Sequence, residues 1–184
     1  MTRAAVLLVL LGTAVLGEEP VAVRFEKAPT VLPDGIAVRL PKWEDKGVIF
    51  TLAHEPRQSK GKGLLMFFTH LESGKKGIVC AMATEPIPVR ANFAKPVTSV
   101  AVEMWGSTAT PAVLEAFDSE GKVVDRKSLD SVPGRKSPGE PVPFFTMTVS
   151  GKAIAYIQFS GPREGEYLAA DEIRFTPVEA GNLK

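Results

Sequence analysis

Apolar residues recur at every second position in several short windows of the chain, and no long window repeats them at helical spacing. In residues 100–104 (VAVEM), Val100, Val102 and Met104 share one side while Glu103 takes the other, the period of a half-buried strand. Leu114 and Ala116 alternate in the same way with Val113 and Glu115. Further on, residues 153–159 (AIAYIQF) and 168–175 (LAADEIRF) are rich in β-branched and aromatic residues. The breaker segment SGPREGEY separates them, a pattern that predicts two neighbouring strands. Parity turns Ala155, Ile157, Phe159, Ile173 and Phe175 inward, to meet Val100, Val102, Met104, Leu114 and Ala116 across a core. A single bulge would invert any of these assignments.

Turn chemistry divides the rest into short strands, about eleven or twelve in all. Strands are expected at 21–26, 36–40, 48–52, 64–69, 77–82 and 87–92. Pro33-Asp34-Gly35 is a turn in which proline presets φ and glycine accepts a positive one, and residues 43–47 turn into the strand at 48–52. Residues 54–63 (HEPRQSKGKG) form a polar, basic loop. Asp118-Ser119-Glu120-Gly121 predicts a hairpin into 123–129, and Ser150-Gly151-Lys152 a second hairpin joining 144–149 to 153–159. Residues 131–143 (SVPGRKSPGEPVP) carry too much proline for a sheet interior and are expected as a surface loop. A sheet with one apolar face must cover it, and without helices only a second sheet can. The expected fold is therefore all-β, a two-sheet antiparallel sandwich.

The first 17 residues follow a different rule. Arg3 precedes an uncharged run over 4–16, small or apolar Val15 and Gly17 follow, and Glu18 and Glu19 begin a polar segment, the order of a secretory signal peptide cleaved after Gly17. The run is shorter than the ~20 residues of a membrane span. Residues 18–184 then form one domain, and no membrane span is expected once the leader is gone. The full chain has 22 basic and 21 acidic side chains, so loss of Arg3 leaves a formally neutral protein. Such a chain has no field to gather polyanions, which argues against nucleic acid as a partner. Cys80 is the only cysteine, so no internal disulfide can form. Within the apolar GIVCAM it reads as a small buried hydrophobe, although a partner in His54 or His70 is left open.

Signatures of catalysis fail one by one. His54-Glu55 lacks the second histidine of a zinc-protease helix and is followed by Pro56; residues 134–139 (GRKSPG) are one residue too long for a nucleophile elbow. Glu44-Asp45 and Asp171-Glu172 are adjacent carboxylates, which a regular strand sends to opposite faces. No catalytic residue is assigned. For ligands, Trp43, Trp105, Tyr156 and Tyr167 are amphipathic rings at or near strand ends, able to stack on the C–H face of a sugar or to serve as core and edge packing. Trp105, Trp43 and Tyr167 are taken as the ligand-binding candidates. Trp105 leads them, because alternation turns it away from Val102 and Met104 and Gly106-Ser107-Thr108 follows it.

The succession FE near residue 25, WEDKGVIF, FAKPVTSVAV, LEAFDSEGKVV, IAYIQFSG and LAADEIRF resembles a family of exported bacterial β-sandwich domains. These are laid out like jelly-roll carbohydrate-binding modules with a galactose-binding-like fold. The resemblance spans most of residues 21–177 and implies a sandwich on a secreted or cell-surface protein. It also implies a structural calcium held by Glu26 and Asp171, where the two chain ends meet; the alternative is an ordinary exposed glutamate and a turn aspartate. Three functions stay open: a non-catalytic module binding glycan or another extracellular polymer, a structural or protein-interaction domain of the cell envelope, and a glycan-acting enzyme. An exposed aromatic strip would favour the first, a broad apolar patch the second, and two carboxylates facing each other across a cleft the third.

Overall fold

The computed structural model describes residues 19–28, 40–54, 64–70, 73–81, 87–106, 111–134, 137, 140–160 and 168–178. The signal segment, the turn at Pro33, the 55–63 part of the basic loop and the breaker segment with Tyr167 lie outside the described residues. Among the described residues ten strands form: β1 (Val21–Arg24), β2 (Trp43–Asp45), β3 (Val48–Leu52), β4 (Leu64–Thr69), β5 (Lys76–Ala81), β6 (Val89–Gly106), β7 (Ala112–Phe117), β8 (Val123–Leu129), β9 (Phe145–Ser160) and β10 (Leu168–Pro177). No described residue is helical, and every strand pairing is antiparallel.

Two long strands hold the sandwich together. The 97–106 part of β6 pairs with β10, and its 89–93 part pairs with β3, while β9 follows β6 through both halves. One sheet thus runs β4-β5-β10-β6-β9, with β1 also on β10; the other runs β2-β3-β6-β9-β7-β8. The corner in β6 falls at exposed Ala94 and Lys95 and at Pro96, which has no N–H to give a ladder, and the register slips on both sides of Val97. Strands that bend from one sheet into the next are how such corners are made.

Two expectations change here. Residues 144–149 and 153–159 are not a hairpin: Ser150 and Gly151 lie inside β9, which bends without reversing. Gly151 fits closely at that bend: a Cβ would stand 3.1 Å from Val124 Cγ2 and 3.2 Å from Ile154 Cγ1, and those side chains would have to shift by a few tenths of an ångström to admit it. Nor are the last two strands neighbours, because β6 lies between β9 and β10. Of the other turns within the described residues, the one read over 43–47 narrows to 46–47, since 43–45 form β2, and the one over 118–121 forms as read. Lys46 and Gly47 (φ 47° and 75°) close the β2–β3 hairpin, and Gly121 (φ 84°) closes β7–β8.

The main core fills the space between the sheets. Val23, Ile78, Val100, Val102, Met104, Ile173 and Phe175 meet Val48, Phe50, Ala91, Leu114, Ala116, Ile157 and Phe159 in one buried cluster. Ala155 does not take the inward place parity gave it; Ile154 does, because the corner shifts the phase of β9. Cys80 is half-buried against this core. A second, smaller cluster sits on the outside of the first sheet, where Met66, Val79, Trp105 and Ala169 are roofed by Val142 from the proline-rich segment. His70 fastens that roof. Ser73 N–H donates to its Nδ1 (3.3 Å), so Nε2 carries the proton and donates to the Val142 carbonyl at 2.8 Å.

Candidate functional site

The outer face of the first sheet is charged along a row set by register: Arg24 on β1, Glu172 on β10, Glu103 on β6. Glu172 and Glu103 face each other directly, a repulsive pairing that neighbouring cations offset. Arg24 Nε bonds Glu172 at 2.7 Å and Arg174 Nε bonds it at 3.0 Å, while Lys75 Nζ reaches Glu103 at 2.9 Å and Asp171 at 2.8 Å. Asp171 belongs to this network because of a bulge. Register passes from Ala170–Met104 to Glu172–Glu103, leaving Asp171 as the extra residue. The bulge flips the inward set from Leu168 and Ala170 to Ile173 and Phe175. Asp171 and Glu172 therefore both join the outer ion network, and the opposite-faces expectation for this pair does not hold.

Burial pushes the Asp171 carboxyl up, against the pull of Lys75, while the hydrogen bond from Lys75 holds Glu103 below the usual carboxylate range. Divergent carboxylates can mark an acid and a base. These two, however, close on one ammonium, which stands where a sugar linkage would have to lie between them. Their chemistry is that of a structural ion network.

A cleft of about 220 Å³ lies beside the network, lined by Arg24, Phe25, Glu26, Lys75, Lys76, Asp171 and Glu172. It brings Glu26 and Asp171 to one place, as expected for the meeting of the chain ends. Several of its oxygens are already engaged. Lys76 Nζ donates to the carbonyls of Ala28 (2.6 Å) and Glu26 (3.2 Å), and Lys75 holds the Asp171 carboxylate. Calcium takes six to eight oxygens, and here it would have to displace two ammonium groups to gather them. Among the described residues no three acidic, histidine or cysteine side chains come together in a way that could hold a metal ion. The donor set fits the lysines and does not fit a calcium ion.

Both tryptophans pack against other rings, Trp105 fully buried and Trp43 in part. Trp105 does point away from the main core, but into the roofed outer cluster, where it is 2% exposed; the reading of an exposed ring is corrected by that roof. It stands edge-on to His70 (5.1 Å), and Gly77 makes room beside it: a Cβ there would lie 3.2 Å from Trp105 Nε1 and 2.9 Å from Ala169 Cβ. Trp43 is half-buried and meets Phe67 edge to face at 5.2 Å, on the core side. Tyr167 is outside the described residues.

The aromatic residue that reaches an open face is Tyr156, on the outside of the second sheet. Register builds two rows there across five strands, about 19 Å at the usual inter-strand spacing. One row is Thr51, Arg90, Gln158, Glu115 and Arg126; the other is Ile49, Asn92, Tyr156, Phe117 and Val123. Phe117 and Tyr156 stack at 4.6 Å and 8°, and the Arg90 guanidinium lies over Tyr156 at 3.6 Å. Arg90 Nε donates to Asn92 Oδ1 (2.8 Å), and Asn92 Nδ2 donates to the Ile49 carbonyl (3.3 Å). Arg126 holds Glu115 at 3.3 Å. Gln158 makes no side-chain hydrogen bond to a described residue. Apart from Tyr156, sequence reasoning passed over these residues, although the β9 alternation does turn Tyr156 and Gln158 outward together.

No model of a known protein family matches the sequence, and no curated protein does. Solved structures resemble it at low identity. The K2 cleaved adhesin domain of Lys-gingipain shares 14% identity with a TM-score of 0.50, over 85% of this chain and 97% of that one. The BiXyn10A module CBM1 in its apo form gives 8% and 0.47, over 85% and 96%. The Streptococcus pneumoniae fucose-binding module SpX-3 gives 12% and 0.44, over 71% and 93%. At these identities the likeness is one of fold alone: the chain is a β-sandwich, as the adhesin domain's similarity over most of both chains agrees.

Proposed function

We propose that the protein is an exported, non-catalytic module that binds glycan on the outer face of its second sheet. The observation that carries this reading is the pair of cross-strand rows, which set aromatic, amide and guanidinium groups side by side on an open surface. Sugars offer both apolar C–H faces and hydroxyl groups, and that mixture matches both kinds. The first sheet is a weaker candidate, because its charges neutralise one another and one end is roofed. Export follows from the order of residues 1–17, and the fold likeness to carbohydrate-binding modules agrees with a polymer outside the cell.

Affinity electrophoresis against a panel of plant, microbial and animal polysaccharides tests the reading. The expected result is retardation by at least one polymer, reduced about tenfold in affinity by Gln158→Ala, the equivalent of about 1.4 kcal/mol. Gln158 is half-buried on the outer face with no side-chain hydrogen bond to a described residue, so its loss leaves the core intact. No retardation by any polymer, or retardation unchanged by the variant, contradicts it.

A further inference from the structure

We infer that the glycan recognised is acidic, and that Arg90 receives the carboxylate of a uronate residue. The inference rests on the proposed function and narrows it to a substrate class. Arg90 is half-buried on β6 and meets no carboxylate among the described residues; its neighbours there are Asn92 and the Tyr156 ring. That is unusual company for a charge partly withdrawn from water, which is ordinarily paired. The other arginine of the row, Arg126, already holds Glu115, and β9 separates that pair from Arg90.

The group is also held in one attitude. Nε is committed to Asn92, which is itself tied to the Ile49 carbonyl, and the guanidinium carbon lies 3.6 Å from the centre of the Tyr156 ring, which Phe117 backs. The edge left over carries the two Nη groups, a planar fork that matches the two oxygens of a carboxylate. Gln158, Arg90's direct cross-strand neighbour, adds donors and an acceptor for the hydroxyls of the same ring. Little ordering remains to be done on binding, which favours affinity.

The test uses the whole protein with polygalacturonate, its fully methyl-esterified form and dextran sulfate, by calorimetry and affinity electrophoresis. The wild type should bind polygalacturonate at least about tenfold tighter than either of the others. Arg90→Ala should erase the difference, Arg90→Lys should keep only part of it because a point charge lacks the fork, and Arg174→Ala, on the opposite outer face, should keep all of it. Thermal melts establish that each variant is folded. Equal, Gln158-dependent binding to the acid and its ester overturns the uronate assignment and leaves glycan binding standing. Equal binding to dextran sulfate overturns the carboxylate fork in favour of charge alone. Binding to glycans only through the first sheet overturns both readings.

Discussion

Trp105 shows what a single position owes to its neighbours. Period-two alternation places its side chain correctly, opposite Met104, but alternation describes one strand and carries no record of what lies over its outer face. The roof comes from Val142 and Phe144, in a segment whose prolines advertise only that it is not a strand. Gly77 completes the pocket, since any side chain there would meet Ala169, the Ala170 carbonyl and the indole. Trp105→Ala should therefore act on stability, by about 3–5 kcal/mol as for other large aromatic truncations in a core. Urea denaturation measures it. A variant as stable as the wild type that has lost glycan binding would return Trp105 to the ligand site.

At the scale of the strand, the bulge at Asp171 decides more than any side chain. Without it Asp171 and Glu172 would part to opposite faces, and either the ion network or the Ile173–Phe175 core contacts would be lost. Nothing in LAADEIRF marks an extra residue, because Ala169 and Ala170 suit either face. The core parity of β6 and β7 was legible, since Val, Leu and Met alternate there with Glu. The corners of β6 and β9 were not, because proline and glycine signal a bend and a reversal alike.

The cleft beside the bulge gives an element-scale test. With Lys75 and Lys76 on its oxygens, thermal melts in calcium and in chelator should coincide. A metal that bound only the folded state would instead add about 2.7 kcal/mol at a hundredfold excess over its dissociation constant. Asp171 also predicts a pH dependence. A carboxyl whose folded pKa is raised contributes stability below its unfolded value, lost as pH rises through the folded value. Asp171→Asn should flatten that decline just above the ordinary carboxylate range. Glu103, held low by Lys75, works in the opposite sense and loses its contribution as pH falls below that range. A calcium-dependent rise in melting temperature would contradict the lysine reading.

For the whole molecule, 22 basic against 21 acidic side chains leave almost no net charge to exert a long-range pull, so recognition depends on what a face presents at contact. Composition and alternation were enough for an all-β sandwich, because strand period and the lack of helical windows leave few ways to bury the apolar side. They were not enough for the proposed ligand face, whose rows are assembled from β3, β6, β9, β7 and β8 between residues 49 and 158. No described helix is long and apolar enough to cross a membrane.

The position of the proposed glycan site can be read directly by an NMR titration with the oligosaccharide retained most strongly in the polysaccharide screen. Backbone amide shifts should cluster at 90–92, 115–117 and 156–158, on the outside of the second sheet. Shifts concentrated instead at 24, 75–76, 103 and 171–174 would move the site to the charged cleft and contradict the account.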